Sequence, residues 1–380
     1  MRIGIVAGEL SGDLLGAGLM RELRRIYPDA AFEGIGGERM LAEGMDSHYP
    51  LEALSVMGLL EVLRHLPRLL GIRRDLRRRF LADPPELFIG IDAPDFNLGL
   101  EQSLRDAGIP TVHYVSPTVW AWRQGRVRKI RRAIDLMLSI FPFEAEFFRR
   151  HEVPVTFVGH PLADEIPLHP DREAARSALD LPQLPALVAA VLPGSRMSEV
   201  SLLGPVFLDT VEWLCAQRPG VHFIVPCATS RIRTFLEQLL RERNTRLPVT
   251  LHDGRARECM SAANAVLVAS GTATLETMLH QRPMVVAYKV SPITGWLAKR
   301  LVKVPFFAMP NLIAGERLVE EFAQEDATVA NLGPAMLTLL DDQSQREELI
   351  GRFRDLHTLM RQDADRQAAE AVRRLLESRR

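Results

Sequence analysis

One stretch decides the fold class: residues 3–16 read IGIVAGELSGDLLG. Residues 3–7 are apolar or small throughout, which predicts a short strand buried on both faces, as in a parallel sheet. Glycines follow at once, and an amphipathic pattern then predicts a helix over Leu14–Tyr27. A strand, a glycine turn and a helix in this order form the first unit of a doubly wound α/β domain.

The alternation of short strands and amphipathic helices continues along the chain. In the first half, strands are predicted at Ile3–Ala7, Ala31–Ile35, Leu87–Ile91, Thr111–Val115, Leu136–Ile140 and Val155–Val158. In the second half, they are predicted at Leu187–Leu192, Val221–Pro226, Val249–His252, Ala265–Ala269 and Met284–Tyr288. Between the halves, residues 159–172 contain prolines and charges without an apolar period, which is typical of a linker.

This pattern predicts two Rossmann-like doubly wound parallel-sheet domains that face a cleft. The first domain covers residues 1–165 and the second covers residues 171–344. A charged helix at about residues 345–380 could pack back on the first domain. Because ligands of such sheets bind outside the carboxyl ends of the strands, candidate site residues are expected in the turns that follow the strands.

Composition excludes several classes of protein. The 380 residues are 47% apolar and 25% charged, which is typical of a globular chain. A net charge of −1 provides no general basic field for nucleic acid. The cysteines, Cys215, Cys227 and Cys259, lie far apart, so neither a zinc site nor a disulfide framework is expected. No apolar run is long enough to span a membrane, and we expect no cofactor.

The turn after the first strand carries Glu9, Ser11, Gly12 and Asp13. Glycines let a ligand approach the backbone, and the N-terminus of the following helix favours an anionic ligand. The spacing matches neither the GxGxxG fingerprint nor a P-loop. Contact with a ligand and plain helix capping by Asp13 therefore both remain open.

Two carboxylates follow a later strand, where residues 89–97 read IGIDAPDFN. A partly desolvated carboxylate at this point can accept a proton from a substrate hydroxyl. For Asp95 the favoured interpretation is a cap of the next helix, because Asp is common before an apolar run. Asp92 precedes the cap position and is the better candidate for a base.

Two tryptophans, Trp120 and Trp122, lie in a proline-containing stretch after another strand. Aromatic rings with one polar edge suit the face of a sugar or a base. Packing beneath the cleft explains each ring equally well.

Two turns in the second half have the composition of a phosphate site. Residues 192–199 read LPGSRMSE and residues 269–276 read ASGTATLE. Glycine lets backbone N–H groups turn toward an anion, and arginine offers a planar fork to phosphate. Glu276 could hold ribose hydroxyls, or it could close a capping box with Thr272 or Ala273 at the cap. These turns predict a nucleotide site built from Gly194, Ser195, Arg196, Ser270, Gly271, Thr272 and Glu276.

Residues 54–79 combine many apolar side chains with seven arginines. This composition is typical of a segment that lies on an anionic bilayer. A core helix with a solvated arginine face is the alternative. The predicted membrane-facing residues are Val56, Met57, Leu60, Leu63, Leu66, Leu69 and Leu70.

Six blocks resemble the family of bacterial lipid-A-disaccharide synthases, in the expected order from about residue 3 to residue 375. They are residues 8–13, 90–97, 114–123, 192–196, 269–273 and 310–315. The resemblance implies an inverting glycosyltransferase of the two-domain GT-B type. It implies a UDP-2,3-diacylglucosamine donor and a 2,3-diacylglucosamine 1-phosphate acceptor, joined by a β-1,6 bond with release of UDP. We expect no metal, because no DxD-type pair suitable for one lies in the turns of the second domain.

The resemblance also implies roles for individual residues. Asp92 matches the family's essential aspartate, a base on the acceptor 6-hydroxyl, and Glu9 falls near the reacting sugar. Arg196, Glu276 and Asn311 match positions expected to contact UDP. The segment after Met57 corresponds to a membrane-facing region, so the implied location is the cytoplasmic face of the inner membrane, with a homo-oligomer left open.

Two alternative functions and one question about the mechanism remain open at this point. A UDP-sugar 2-epimerase would share the fold and the nucleotide site without needing a lipid surface. A non-catalytic lipid-surface protein would use residues 54–79 and ignore nucleotides. Within the transferase interpretation, any of Glu9, Asp92 and Asp95 could carry the proton at the moment of attack.

Overall fold

The structure is a computed structural model of the chain. It describes residues 1–54, 59–122, 124–184, 186–243, 245–291 and 304–379, and the side chains of residues 59–64, 122 and 124 lie outside that description. Among the described residues, no helix is both long enough and apolar enough to cross a membrane.

The first sheet has seven strands, all parallel, in the order β3-β2-β1-β4-β5-β6-β7. The strands are β1 Arg2–Ala7, β2 Ala31–Gly36, β3 Asp46–Pro50, β4 Leu87–Ile91, β5 Thr111–Tyr114, β6 Leu136–Ser139 and β7 Val155–Phe157. The helices between and after them are α1 Leu10–Ile26, α2 Glu38–Ala42, α3 Leu59–Ala82, α4 Pro94–Arg105, α5 Val119–Trp122, α6 Val127–Ala133, α7 Pro142–Arg150 and α8 Pro161–Glu165.

The second sheet has six parallel strands in the order β10-β9-β8-β11-β12-β13. They are β8 Val188–Leu192, β9 His222–Cys227, β10 Val249–Asp253, β11 Ala265–Ala269, β12 Met284–Tyr288 and β13 Glu320–Ala323. The helices are α9 Arg172–Ala178, α10 Met197–Gln217, α11 Ser230–Arg241, α12 Ala256–Ala262, α13 Thr272–Leu279, α14 Met309–Ala314, α15 Val329–Asp341, α16 Gln343–Met360 and α17 Ala364–Glu377.

The chain divides into two compact units, one of Met1–Asp164 with Met360–Arg380 and one of Glu165–Leu359. The C-terminal stretch forms two helices instead of the single helix expected there. The helix is interrupted before Ala364, where Asp363 has a left-handed φ of +59°. Helix α17 then packs its small residues Ala368, Ala369 and Val372 into the core against α1.

Each sheet has a point at which the strand order reverses. In the first unit, β1 and β4 lie side by side with Ala7 opposite Ile91. In the second unit, β8 and β11 lie side by side with Leu192 opposite Val268. The helices that follow two such neighbouring strands lie on opposite faces of the sheet. This arrangement opens a crevice at the carboxyl ends of the two strands. The turns that follow β1, β4, β8 and β11 are therefore the places to examine for a site.

Candidate functional site

A cavity of about 380 Å³ lies at the carboxyl ends of the strands of the second sheet. Seven of the eight residues predicted to contact UDP line it: Gly194, Ser195, Arg196, Ser270, Gly271, Thr272 and Glu276. The structure thus brings together two turns that are far apart in sequence, because β8 and β11 are neighbours in the sheet.

The N-termini of two helices open into this cavity. Helix α10 begins after Arg196 and helix α13 begins after Gly271. The first N–H groups of a helix have no partner within the helix, and the helix dipole places partial positive charge there. Gly194 has a φ of +123°, and a Cβ at this position would lie 2.7 Å from Glu199 Oε2. The turn therefore requires glycine, and its backbone N–H groups could bind an anion.

A carboxylate of the protein itself occupies part of this turn. The Ser195 N–H donates to Glu199 Oε2 at 3.3 Å, and Arg196 Nη1 lies 3.3 Å from Glu199 Oε1. Arg196 is largely exposed, so its guanidinium can turn to another anion. Sequence reasoning did not assign Glu199 to the site. The sequence did carry a signal for Glu199, because it lies three residues after the N-cap residue Arg196, a position typical of a capping box.

Glu276 is half-buried, and burial raises the pKa of its carboxyl while the Arg257 charge opposes that rise. The capping-box interpretation of Glu276 is wrong, because the N-cap is Gly271 and Glu276 lies in the second turn of α13. The Thr274 hydroxyl instead donates to the Gly271 carbonyl at 2.8 Å. The Glu276 carboxylate accepts no hydrogen bond within the described part of the chain, so it can accept one from a sugar hydroxyl.

Asn311, the eighth predicted residue, has a different position. Its side chain is fully buried, and Oδ1 accepts the N–H groups of Leu318 and Val319 at 2.8 and 2.9 Å. Its Nδ2 donates to the Val319 carbonyl at 2.9 Å. Both ends of the carboxamide are used to close the turn after α14, so the structure gives Asn311 a role in shaping the loop and not in the lining of the cavity.

Sequence reasoning also missed the far wall of the cavity. Ala228 follows β9, and Gly254 and Ala256 lie between β10 and the body of α12. The sequence signal was the same as for the other turns, since these residues follow β9, which neighbours β8, and β10, which neighbours β9. Small side chains without charge made them inconspicuous. Their size leaves room for a flat ligand group.

In the first unit, the turn after β4 presents Asp92 with unusual backbone geometry. Asp92 and Ala93 have φ angles of +52° and +43°, in the left-handed region that costs roughly 1–3 kcal/mol for a residue other than glycine. The Asp92 N–H donates to the Tyr114 carbonyl at 2.9 Å. Asn97 is buried, and its Nδ2 donates to the Asp92 carbonyl at 2.8 Å. The half-buried Asp92 side chain therefore extends from a turn that is fixed on both sides.

The turn after β1 lies directly against this turn. A Cβ on Gly8 would lie 2.3 Å from the Ala93 Cβ, so only glycine fits. Glu9 is exposed and is the N-cap residue of α1. Ser11 is exposed in the first turn of α1, and Gly12 is buried against Ile91. Glu9 and Asp92 thus belong to two adjoining turns at the carboxyl edge of one sheet.

Asp13 belongs to the fold. It is buried, and its carboxylate accepts the N–H groups of Gly37, Arg39 and Met40 at 2.8, 3.1 and 3.1 Å. It therefore caps α2, a helix other than its own, and neither ligand contact nor capping of α1 describes it. A distant cap of this kind is invisible in local sequence.

Asp95 is exposed and forms an ion pair with Arg126. The expectation that Asp95 caps α4 is wrong, because Ala93 is the N-cap residue and no side chain caps this helix. An exposed and already paired carboxylate is a poor candidate for the base. Asp92 remains the better one.

Trp120 is half-buried, with its ring edge-on to Phe143 at a centroid distance of 4.8 Å. Its Nε1 donates to Glu144 Oε1 at 3.2 Å. Burial raises the pKa of Glu144 to about 8. The indole N–H of Trp120 therefore has its hydrogen-bond partner within the first unit. The side chain of Trp122 lies outside the described residues.

Helix α3 divides its apolar residues between two surroundings. Ile72, Leu76 and Phe80 are buried in the core, which supports the core-helix alternative for the second half of the helix. Leu66, Leu69 and Leu70 instead line a cavity of about 300 Å³ beside the Gly8 and Ala93 turns. Of the other predicted membrane-facing residues, Val56 and Met57 lie outside the described residues, as do the side chains of Leu60 and Leu63.

Comparison with known proteins identifies the family. A family model described as lipid-A-disaccharide synthetase matches residues 3–373. The chain belongs to this family. The lipid-A-disaccharide synthase of Chromohalobacter salexigens is 59% identical over 372 residues, which cover 98% of this chain and 96% of the relative. The chain is therefore an enzyme, a glycosyltransferase, and the predicted family is confirmed.

Solved structures confirm the predicted fold. The glycotransferase of kitacinnamycin has a TM-score of 0.62 at 16% identity and covers 98% of each chain. The UDP-GlcNAc 2-epimerase of Neisseria meningitidis, bound to UDP-GlcNAc, has a TM-score of 0.63 at 13% identity and covers 100% of each chain. At these identities the likeness concerns the fold alone. This chain has the predicted fold, with two Rossmann-like parallel-sheet domains of the GT-B type.

Proposed function

We propose that the enzyme transfers 2,3-diacylglucosamine from UDP to the 6-hydroxyl of 2,3-diacylglucosamine 1-phosphate. The acceptor oxygen forms a β-1,6 bond to the anomeric carbon, and the bond from that carbon to the UDP oxygen breaks. The hydroxyl proton passes to a carboxylate, and UDP leaves as an anion. The observation that carries this proposal is the cavity of the second unit, where two distant glycine turns, Arg196 and Glu276 meet.

The second unit would bind the UDP moiety of the donor. Backbone N–H groups at the starts of α10 and α13, together with Arg196, would stabilise the charge that develops on the departing diphosphate. One such preorganised donor is worth about 3 kcal/mol in a site that excludes water. Glu276 would accept hydrogen bonds from the ribose hydroxyls.

The first unit would provide the base. We assign this role to Asp92, because it is half-buried on a fixed turn, whereas Glu9 is exposed and Asp95 is exposed and paired. The Asn97 hydrogen bond to the Asp92 carbonyl would hold the carboxylate in place during attack. Independence of a metal also stays a prediction, and activity retained in EDTA would support it.

We further propose that the enzyme associates with the cytoplasmic face of the inner membrane through α3. Leu66 and Leu70 are 40% and 39% exposed, and Arg74 and Arg77 are exposed on the same helix. Charge reversal of Arg74 and Arg77 to Glu should weaken co-sedimentation with vesicles containing phosphatidylglycerol, most strongly at low salt. Unchanged co-sedimentation would contradict this assignment.

The direct test supplies the UDP-sugar alone and then together with the acylated acceptor. Release of UDP and formation of the disaccharide 1-phosphate only in the complete mixture is the expected result. Conversion of the UDP-sugar alone would identify a 2-epimerase. Vesicle binding without any turnover would indicate a lipid-surface protein. Family membership favours the transferase over both alternatives.

A further inference from the structure

A fully buried pair of ionisable side chains lies beside the end of β4, close to the turn that presents Asp92. Glu101 of α4 and His113 of β5 are both 0% exposed, and Glu101 Oε1 lies 2.7 Å from His113 Nδ1. Burial raises the pKa of the Glu101 carboxyl, while the charge and hydrogen bond of His113 oppose that rise. We call these two residues the Glu101–His113 pair and the turn after β4 the Asp92 turn.

Stability alone does not account for the Glu101–His113 pair. Apolar side chains of similar volume are often no less stable than a buried ionisable pair, because they avoid the cost of desolvation. Helix α4 already contributes Leu98, Leu100 and Leu104 to the core on either side of the pair. Glu101 Oε2 and His113 Nε2 have no hydrogen-bond partner among the described residues, which adds to the cost. The presence of the pair at this position therefore needs an explanation other than stability.

The pair contacts the backbone of the strand that leads to Asp92. Gly90 lies opposite His113 in the sheet, two residues before Asp92. A Cβ at Gly90 would lie 2.1 Å from Glu101 Oε1 and 2.9 Å from the Asn97 Cβ. The Glu101 carboxylate thus occupies the space that any other residue at position 90 would fill with its side chain, and the end of β4 packs directly against it.

Two further contacts connect the elements that carry the pair to Asp92 itself. Asn97 lies four residues before Glu101, on the same face of α4, and its Nδ2 donates to the Asp92 carbonyl at 2.8 Å. The Asp92 N–H donates to the carbonyl of Tyr114, the residue after His113, at 2.9 Å. The Asp92 peptide groups are therefore held from α4 and from β5, and the Glu101–His113 pair joins α4 to β5.

We propose that Glu101 and His113 are positioning residues for Asp92: their buried hydrogen bond fixes α4 against β4 and β5 and thereby fixes the direction of the Asp92 carboxylate. The inference rests on the proposed function, in which Asp92 accepts the proton of the acceptor hydroxyl. A misplacement of about 1 Å caused by a change away from the reacting groups can lower a rate by about 10²-fold. The hydrogen bond of the pair is therefore expected to affect the rate of transfer more than it affects stability.

The test replaces the pair in two backgrounds, the wild type and Asp92→Asn. The double substitution of Glu101→Met with His113→Leu supplies apolar side chains of similar volume. In the wild-type background it should lower kcat by roughly 10²-fold, while the KM for the UDP-sugar and the urea midpoint stay close to those of the wild type. In the Asp92→Asn background the same replacement should lower kcat by less than about threefold, because residues that act as a unit have non-additive effects.

Two further variants separate the hydrogen bond from charge and from general damage. Glu101→Gln restores a hydrogen-bond partner for His113 Nδ1 without the charge, so its kcat should be at least about tenfold above that of the double variant. His48→Leu is the matched control, because it removes a contact of 3.3 Å between His48 Nε2 and Glu33 Oε2 in the same unit. His48 lies on the edge strand β3, two strands away from β4, and this variant should keep the wild-type kcat.

If the double variant does not fold, Gly90→Ala replaces it in both backgrounds. The added Cβ needs the space that Glu101 Oε1 occupies, so it displaces the carboxylate from His113 and retains both polar side chains. The loss of kcat should again depend on the presence of Asp92.

Equal losses of kcat in the two backgrounds would show general structural damage and would overturn the proposal. An unchanged kcat in a folded double variant, or a Glu101→Gln enzyme as slow as that variant, would overturn it as well. A wild-type enzyme that forms no disaccharide would instead contradict the proposed function. The two failures are therefore distinguishable.

Discussion

The turn after β4 in the first unit carries Asp92 on a left-handed backbone, whereas the turn after β11, at the same position of the second sheet, carries Ser270 and Gly271. Likewise, Gly8 and Glu9 follow β1, but Gly194, Ser195 and Arg196 follow β8. The strand order around these turns is the same in both units. One topology thus presents carboxylates in the first unit, and backbone N–H groups with an arginine in the second.

The difference teaches that charge at the carboxyl edge of a doubly wound sheet is set by a few turn residues. Carboxylates in the first unit suit acceptance of a proton, and N–H groups with a cation in the second suit a phosphate. Each substitution below changes one side of this comparison and leaves the other side as an internal control.

The largest effect is expected for Asp92→Asn. Loss of the proposed general base should lower kcat by about 10²- to 10⁴-fold, because an amide cannot accept the proton. Initial rates of UDP release measure this effect. Asp29→Asn, which changes an exposed carboxylate of the same unit, should keep the wild-type rate. A turnover near that of the wild type in a folded Asp92→Asn enzyme would remove Asp92 from the mechanism.

Asn97→Ala should come next, because it tests what holds the Asp92 turn. The Asn97 side chain donates to the Asp92 carbonyl at 2.8 Å, with longer contacts to Val6 and Ile91. Its removal leaves buried carbonyls without a donor, so the free energy of unfolding should fall by about 1–3 kcal/mol. Urea unfolding gives this number, and kcat should fall as well.

A matched change on the same helix is Gln102→Ala, which removes only a hydrogen bond between two side chains at Asp106. The stability of this variant should change by less than about 0.5 kcal/mol. If Asn97→Ala changed stability no more than Gln102→Ala, the turn would not depend on Asn97.

In the second unit, Gly194→Ala should weaken UDP binding at least tenfold, or about 1.4 kcal/mol. The added Cβ meets Glu199 Oε2, and the φ of +123° is strained for any other residue. Gly220→Ala serves as its counterpart, since Gly220 also has a positive φ of +89° but does not line the cavity. Equal losses of UDP affinity in both variants would show that general strain, and not the turn, is responsible.

The last prediction concerns stability and not activity, in the interior of the first unit. Because burial raises the pKa of Glu144 to about 8, the folded protein binds a proton there that the unfolded chain has released above about pH 4.3. The stability from this group is complete below that pH and is lost as the pH rises through about 8. The free energy of unfolding of the wild type should therefore fall relative to Glu144→Gln between pH 5 and pH 8, by more than about 1 kcal/mol.

Urea titrations of both proteins at several pH values test this dependence. Glu146→Gln, which changes an exposed carboxylate of the same helix, should follow the wild type. Parallel curves for the wild type and Glu144→Gln would mean that Glu144 is ionised in the folded protein.

Most strands and turns could be predicted from the sequence because a parallel strand that is buried on both faces has a continuous run of apolar residues. Strand β4 and strand β11 begin and end where the apolar runs do. Strands β3 and β13, with the sequences DSHYP and EEFA, were missed because they carry mostly polar residues. The other two edge strands, β7 and β10, were predicted because they keep apolar residues at alternating positions, so polar composition and not the edge position hides β3 and β13.

For the candidate site too, residues with a local sequence signal were predicted, and residues whose role depends on tertiary contacts were not. Turns rich in glycine or arginine were found, since their residue types reveal an anion site. Asp13 and Asn311 were misassigned because their partners, Gly37 and Leu318 among them, are set by tertiary packing. For α3, the split between core and cavity residues depends on which neighbours the helix meets, and periodicity alone does not supply that information.

The central claim is that the two units divide the chemistry, with the base in the first and the UDP site in the second. Calorimetric titration of UDP into Asp92→Asn and Arg196→Ala tests it most directly. The dissociation constant of Asp92→Asn should stay within about twofold of the wild type, and that of Arg196→Ala should rise at least tenfold, because a charge-assisted hydrogen bond is worth about 1.5–3 kcal/mol. UDP affinity that falls equally in both variants would contradict the division.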